Sequence, residues 1–173
     1  IKDLPGLPAE IYESASRATW NLGDDVSVNV DFVMETKAAG GWMQKDRFRT
    51  LNEFQITLMT RGLATQMFPG AKVEKGGFVG INDKTKPFAL EFKLVAPKLL
   101  VRSGEDFLLP PVLQPSAMVR SLGAPPTRKH PYRVRQRRAK NDRIETNLGD
   151  NFKISKLPEN VSLAHPLAKY SLT

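Results

Sequence analysis

A chain of 173 residues with 40% hydrophobic content suits one domain of ordinary size, with some sequence left outside its core. The absence of cysteine excludes disulfides, thiolate catalysis and every cysteine-ligated zinc site. A net charge of +8, with no run of about 18 consecutive apolar residues, leads us to expect a soluble or peripheral protein that seeks negative partners.

In chain order, the segment LPAEIYESASRATWNLG, residues 7–23, predicts an N-terminal helix. Pro8 suits a first turn, Glu10 and Glu13 favour its positive end, and Gly23 can close it. Ile11, Ala15 and Ala18 fall on one stripe, flanked by Tyr12 and Trp20. From Asp25 the period becomes two: Val26, Val28, Val30, Phe32 and Met34 alternate with Ser27, Asn29, Asp31 and Val33, as in a half-buried strand.

The AAGG of residues 38–41 predicts a hairpin turn into a strand WMQKDRFR. Residues 52–60 are ambiguous, because Thr50 with Glu53 suggests a capping box while Phe54, Ile56 and Leu58 alternate. The threonines Thr57 and Thr60 favour a strand there. Phe88, Leu90, Phe92 and Leu94 alternate with Ala89, Glu91 and Lys93, and NDKTKP supplies a turn before them. These elements predict an α+β fold, mainly antiparallel β-sheet or a small barrel with one N-terminal helix, followed by a long extended basic C-terminal arm.

The division into body and arm comes from charge. Residues 1–109 carry 14 basic and 14 acidic groups, whereas residues 110–173 carry 12 and 4, so the whole excess lies in the C-terminal third. Eight of the 13 prolines lie from Pro110 onward, and 11 of the 14 aromatic residues lie before it. We therefore expect a compact β-rich body over 1–109 and a proline-rich arm over 110–173. Within the arm, Pro115–Leu122 predicts one short helix stopped by Gly123.

Catalytic patterns are weak. His130 and His165 each precede a proline in irregular sequence, which supplies neither a tautomer-holding partner nor a cavity. Gly76, Gly77 and Gly80 lack the strand, helix start and Lys-Ser/Thr of a phosphate loop and read as a hairpin or bulge. The neighbouring acids Asp24 and Asp25, and Glu105 and Asp106, point apart in an extended chain, so nothing positions them as a catalytic or two-metal pair. No catalytic, cofactor or metal site is expected. The aromatic residues Trp20, Trp42, Phe32, Phe48, Phe54, Phe78, Phe88 and Phe92 suit a core, or alternatively a barrel cavity for an apolar ligand or pigment.

The strongest signal is Arg128, Lys129, Arg133, Arg135, Arg137, Arg138, Lys140 and Arg143, eight positive charges within residues 128–143. Such a segment orders against negative charge, and arginine's planar fork suits a fixed carboxylate or phosphate surface. Tyr132 lies among them, and Phe152, Leu157, Leu163 and Tyr170 follow as apolar anchors.

We expect a non-catalytic structural or linker subunit of a large assembly, its arm docking on an acidic protein surface of neighbouring subunits. The alternatives are a ribosomal-type RNA-binding structural protein and the apolar-ligand barrel; DNA sequence readout is not expected. The layout is similar, in composition alone, to organellar ribosomal proteins, antenna linkers and microtubule inner proteins. The start at Ile1 leaves two readings, a leader removed or a chain trimmed, so the compartment is not read directly; an organelle, chloroplast or mitochondrion, is favoured.

Overall fold

Nine strands and two helices form over residues 12–109, 139–165 and 168–173, the parts of the chain that the computed structural model describes. In order they are β1 (Glu13–Leu22), β2 (Val28–Thr36), α1 (Ala38–Phe48), α2 (Glu53–Met67), β3 (Lys72–Val79), β4 (Phe88–Ala96), β5 (Val101–Ser103), β6 (Asp106–Leu108), β7 (Ala139–Asn147), β8 (Val161–His165) and β9 (Ala168–Leu172). Five of the strands make one sheet in the order β3-β4-β2-β1-β7, antiparallel throughout except that β7 runs parallel to β1. β5 with β6, and β8 with β9, are separate hairpins.

The period-two pattern builds this sheet as expected for β2 and β4. Val28, Val30 and Phe32, with Phe88, Leu90, Phe92, Leu94 and Ala96, all face one side and are 3% exposed or less. Register places Phe32 opposite Phe92, and their rings stack at 4.6 Å, so one cross-strand pair anchors the middle of the sheet. The helices cover that same face. Thr60 and Ala64 of α2 are buried there, while Phe48, at the end of α1, stacks on Phe78 of β3 at 4.4 Å and on Phe88 of β4 at 5.4 Å. Trp20, Phe32, Phe48, Phe88 and Phe92 are thus buried between helices and sheet, with Phe78 partly so, whereas Trp42 and Phe54, which the sequence also placed in the core, are exposed.

Four expectations are corrected. Residues 13–22 of the predicted N-terminal helix form β1, with Ser16, Ala18 and Trp20 inward; residues 7–11 of that prediction lie outside the described residues. Pairing on both edges, with β2 and with β7, decides the conformation over the mild helical preference of alanine and glutamate.

The AAGG turn and the strand after it are instead helix α1, so the fold has two helices where one was predicted. Gly41 permits this, because a Cβ there would lie 2.5 Å from the Thr36 carbonyl oxygen where the helix leaves β2. Residues 52–60 are helical rather than extended. The capping box is Asn52 with Gln55: Gln55 N donates to Asn52 Oδ1 at 2.9 Å and Asn52 N donates to Gln55 Oε1 at 3.0 Å.

Finally, β3 and β7 stand at opposite ends of the sheet, which is open; among the described residues there is no closed barrel. The predicted helix at Pro115–Leu122 lies outside the described residues. Among the described residues, no helix is long and apolar enough to cross a membrane.

Candidate docking surface where β7 joins the sheet

The face of the sheet away from the helices carries the other half of each strand's alternation. Glu13, Arg17, Thr19 and Asn21 of β1 lie beside Asp31, Val33 and Glu35 of β2, and Glu91 and Lys93 of β4 lie beside Lys75 and Gly77 of β3. Signs are interleaved, with Arg17, Lys72, Lys75, Lys93 and Arg143 set among Glu13, Asp31, Glu35, Glu91 and Glu145. Lys93 Nζ meets Asp31 Oδ1 at 2.8 Å, and this hydrogen bond, with the carboxylate's charge, raises the Lys93 pKa.

β7 brings the C-terminal third to this surface. Its parallel register sets Arg143 beside Arg17, Glu145 beside Thr19 and Asn147 beside Asn21. On the opposite face Ile144 packs toward Ala18, and Ser16 Oγ donates to Asp142 Oδ1, which satisfies the buried hydroxyl. Lys140 Nζ lies 2.6 Å from Asp142 Oδ2. Downstream, Asn151 Nδ2 donates to Asp24 Oδ1 at 2.8 Å in the loop between β1 and β2. Residues 139–151 are therefore tied to the body by a ladder, one apolar contact and several side-chain bonds.

Where β1 meets β7 on the open face, Arg17, Ala18, Thr19, Arg143 and Glu145 line a shallow depression of about 260 Å³. Arg143 Nη2 meets Glu145 Oε1 at 2.6 Å. Arg17 makes no ion pair with any described residue. A second depression of about 320 Å³ lies over Gly77, between Lys75, Val79, Glu91 and Lys93.

Of the residues singled out in the sequence, Lys140 and Arg143 lie on β7, three positions apart on opposite faces. Arg128, Lys129, Tyr132, Arg133, Arg135, Arg137 and Arg138 lie outside the described residues, as does His130. Phe152 packs edge-on against Phe107 of β6, centroids 6.3 Å apart, whereas Leu157 is exposed. Leu163 and Tyr170 are register partners on the β8–β9 hairpin, both exposed, with Val161 and Leu172 one pair further along the same face. Arg17 was not singled out, because nothing in its local sequence distinguishes it from other surface arginines.

The loop acids have structural partners. Asp25 Oδ1 accepts from Ser27 Oγ at 2.6 Å and from Ser27 N at 3.1 Å, and Asp83 Oδ1 accepts from Thr85 Oγ1 at 2.6 Å and from Thr85 N at 2.8 Å. In both, the side-chain hydroxyl bond, followed by the amide bond, lowers the carboxyl pKa. Gly76 and Gly77 belong to β3, with a register shift between Val73 and Lys75, and Gly80 takes φ +76° in the turn after it. Among the described residues no three potential metal ligands cluster. Comparison with protein-family models, with curated proteins and with solved structures finds no match to this chain.

Proposed function

We propose that this chain is a non-catalytic structural or linker subunit of a larger assembly, which grips an acidic protein surface with its arginine-rich segment 128–143. The observation that carries this reading is the position of β7. Ala139 pairs with Glu13 at the start of the β1–β7 ladder, so Arg138 is one residue from a point fixed on the body, and Arg143 is held within the sheet. A basic segment whose end is joined to a strand in the sheet has less freedom to lose on binding than a free tail.

Acidic protein is favoured over RNA by the mixed charge around β7. Cations and carboxylates pair across this face, Lys37 with Glu13, Lys93 with Asp31 and Arg143 with Glu145, so it offers a phosphate backbone no continuous positive track, whereas a folded protein surface can match alternating signs. The exposed apolar side chains of Ile154, Leu157, Leu163 and Tyr170 supply the desolvating contacts that charge alone does not.

The test is co-purification of the full chain from its native source after Arg133, Arg135, Arg137 and Arg138 are changed together to glutamate. Loss of a defined set of partner chains supports the proposal. Retention of all partners overturns it, and so does nuclease-sensitive recovery of RNA in place of protein.

A further inference from the structure

Arg17 and Arg143 stand side by side on adjacent strands of the open face, an arrangement that the sheet alone does not reward. Register partners on neighbouring strands are separated by about 4.8 Å at the backbone, and like charges so placed destabilise the pairing. Glu145 neutralises one of the two, through Arg143 Nη2 at 2.6 Å, and Arg17 keeps an unpaired guanidinium among the described residues. The result is a concavity of about 260 Å³ with two guanidinium groups, the Thr19 side chain and one carboxylate around it.

We infer that this depression is a receptor for a single carboxylate side chain of an acidic polypeptide, taken by Arg17 and shared with Arg143. The inference rests on the docking function proposed above and specifies a point of contact on the folded sheet rather than on the arginine-rich segment. Arg17 offers a planar fork that engages both oxygens of a carboxylate, and the incoming charge removes the repulsion between the two arginines. Thr19, which also lines the depression, adds a hydroxyl that can donate.

The chemistry selects one monoanionic group at a time. Glu145 lines the same concavity and Asp31, paired with Lys93, lies beside Thr19 on β2, so a polyphosphate following the surface finds no continuous run of cations after its first contact. A glutamate or aspartate on a partner strand or loop brings one charge to Arg17 and then apolar or basic neighbours to the rest of the face. Glu145 acts as an internal competitor, because it holds Arg143 until the partner arrives.

The test uses the full chain with Arg133, Arg135, Arg137 and Arg138 already changed to glutamine, so that the arginine-rich segment does not itself capture the probe. A short oligoglutamate peptide is titrated while the Nε–Hε resonances of Arg17 and Arg143 are followed by NMR, with inorganic phosphate and an oligouridylate RNA as comparators. Both arginine resonances are expected to shift with the peptide. Arg17→Gln should weaken binding about tenfold or more, Arg17→Lys by less, and Glu145→Gln should tighten it several-fold.

Equal peptide affinity in the Arg17→Gln chain, with the fold intact by circular dichroism, overturns the inference, as does tighter binding of the RNA than of the peptide. Because the four segment arginines are absent here, this site can fail while the docking proposal stands, and the reverse also holds.

Discussion

Asn147 Nδ2 donates to Asn21 Oδ1 at 2.7 Å, joining two residues 126 positions apart at the far end of the β1–β7 ladder. With Ser16 to Asp142 and Asp24 to Asn151, it is one of three side-chain bonds that hold the described part of the C-terminal third to β1 and the loop after it. Apolar support is thin beside them: Ile144 packs against the core, and Phe152 meets Phe107 beyond the end of the strand.

That balance predicts a strand that is easily released. Ile144→Ser should lower stability by about 1–2 kcal/mol, since the side chain is only partly buried. Hydrogen exchange should show where the loss falls. Amides in the β1–β7 ladder should lose protection while those joining β2 to β4 keep theirs, and uniform loss across the sheet would count against a separable β7.

Two adjacent glycines of β3 should respond in opposite ways to alanine. At Gly76 a Cβ would lie 2.7 Å from Phe92 Cβ, 2.8 Å from the Glu91 carbonyl oxygen and 3.0 Å from Thr60 Cγ2, which presses sheet and helix apart. Gly76→Ala should cost about 1–3 kcal/mol. At Gly77 nothing lies within 4 Å, so Gly77→Ala should be neutral or slightly stabilising, about 0.5 kcal/mol, through reduced freedom of the unfolded chain. Urea melts of the two variants decide the matter.

The indole Nε1 of Trp20 has no hydrogen-bond acceptor among the described residues, although the side chain is 1% exposed. Removing that donor offsets part of the lost packing, so Trp20→Phe should cost less than about 1.5 kcal/mol, against roughly 3–5 for Trp20→Ala. A Trp20→Phe loss well above about 1.5 kcal/mol by chemical denaturation would mean that the N–H is no burden on the folded state.

The loops should show a mild acid sensitivity. Folding lowers the pKa of Asp25 and of Asp83 from the ordinary 3.8, so each contribution to stability is complete above that value and is lost as pH falls through the lower folded one. Carboxyl-carbon NMR titration should place both midpoints below 3.8, and Ser27→Ala and Thr85→Ala should each return their own aspartate toward it. A midpoint at or above the ordinary value in the unmodified protein contradicts the hydrogen-bonded turns.

The parts of this fold that could be read in the sequence are those whose periodicity survives packing. Val28 to Phe32 and Phe88 to Leu94 alternate because one face of each strand is buried and the other is wet. β1 resisted reading because its inward residues include Ser16 and Ala18, small side chains that give no strand signal and whose burial depends on neighbours far along the chain. In α2, Phe54 and Leu58 made the apolar pattern, yet both are exposed, and the helix packs instead through Thr60 and Ala64. Its capping box also sits two residues later than the Thr50–Glu53 pair suggested.

At the candidate surface, Arg143 was visible as part of a charge run, whereas Arg17 was not. Only the parallel register between residues 126 positions apart, as at Asn21 and Asn147, brings the two arginines together, and no local pattern encodes such a pairing.

The parallel pairing also sets a temporal order on folding. β1 to β4 lie within the first 96 residues and can pair once these are made, but the outer edge of β1 has no partner in this sheet until residues 139–147 have been synthesised. During that interval the nascent chain presents an unpaired strand edge bearing Trp20 and Ala18 on its inner face. A competing strand that reaches it before β7 would add in its place, so the most aggregation-prone moment for this protein falls between completion of the four-stranded sheet and arrival of the fifth strand.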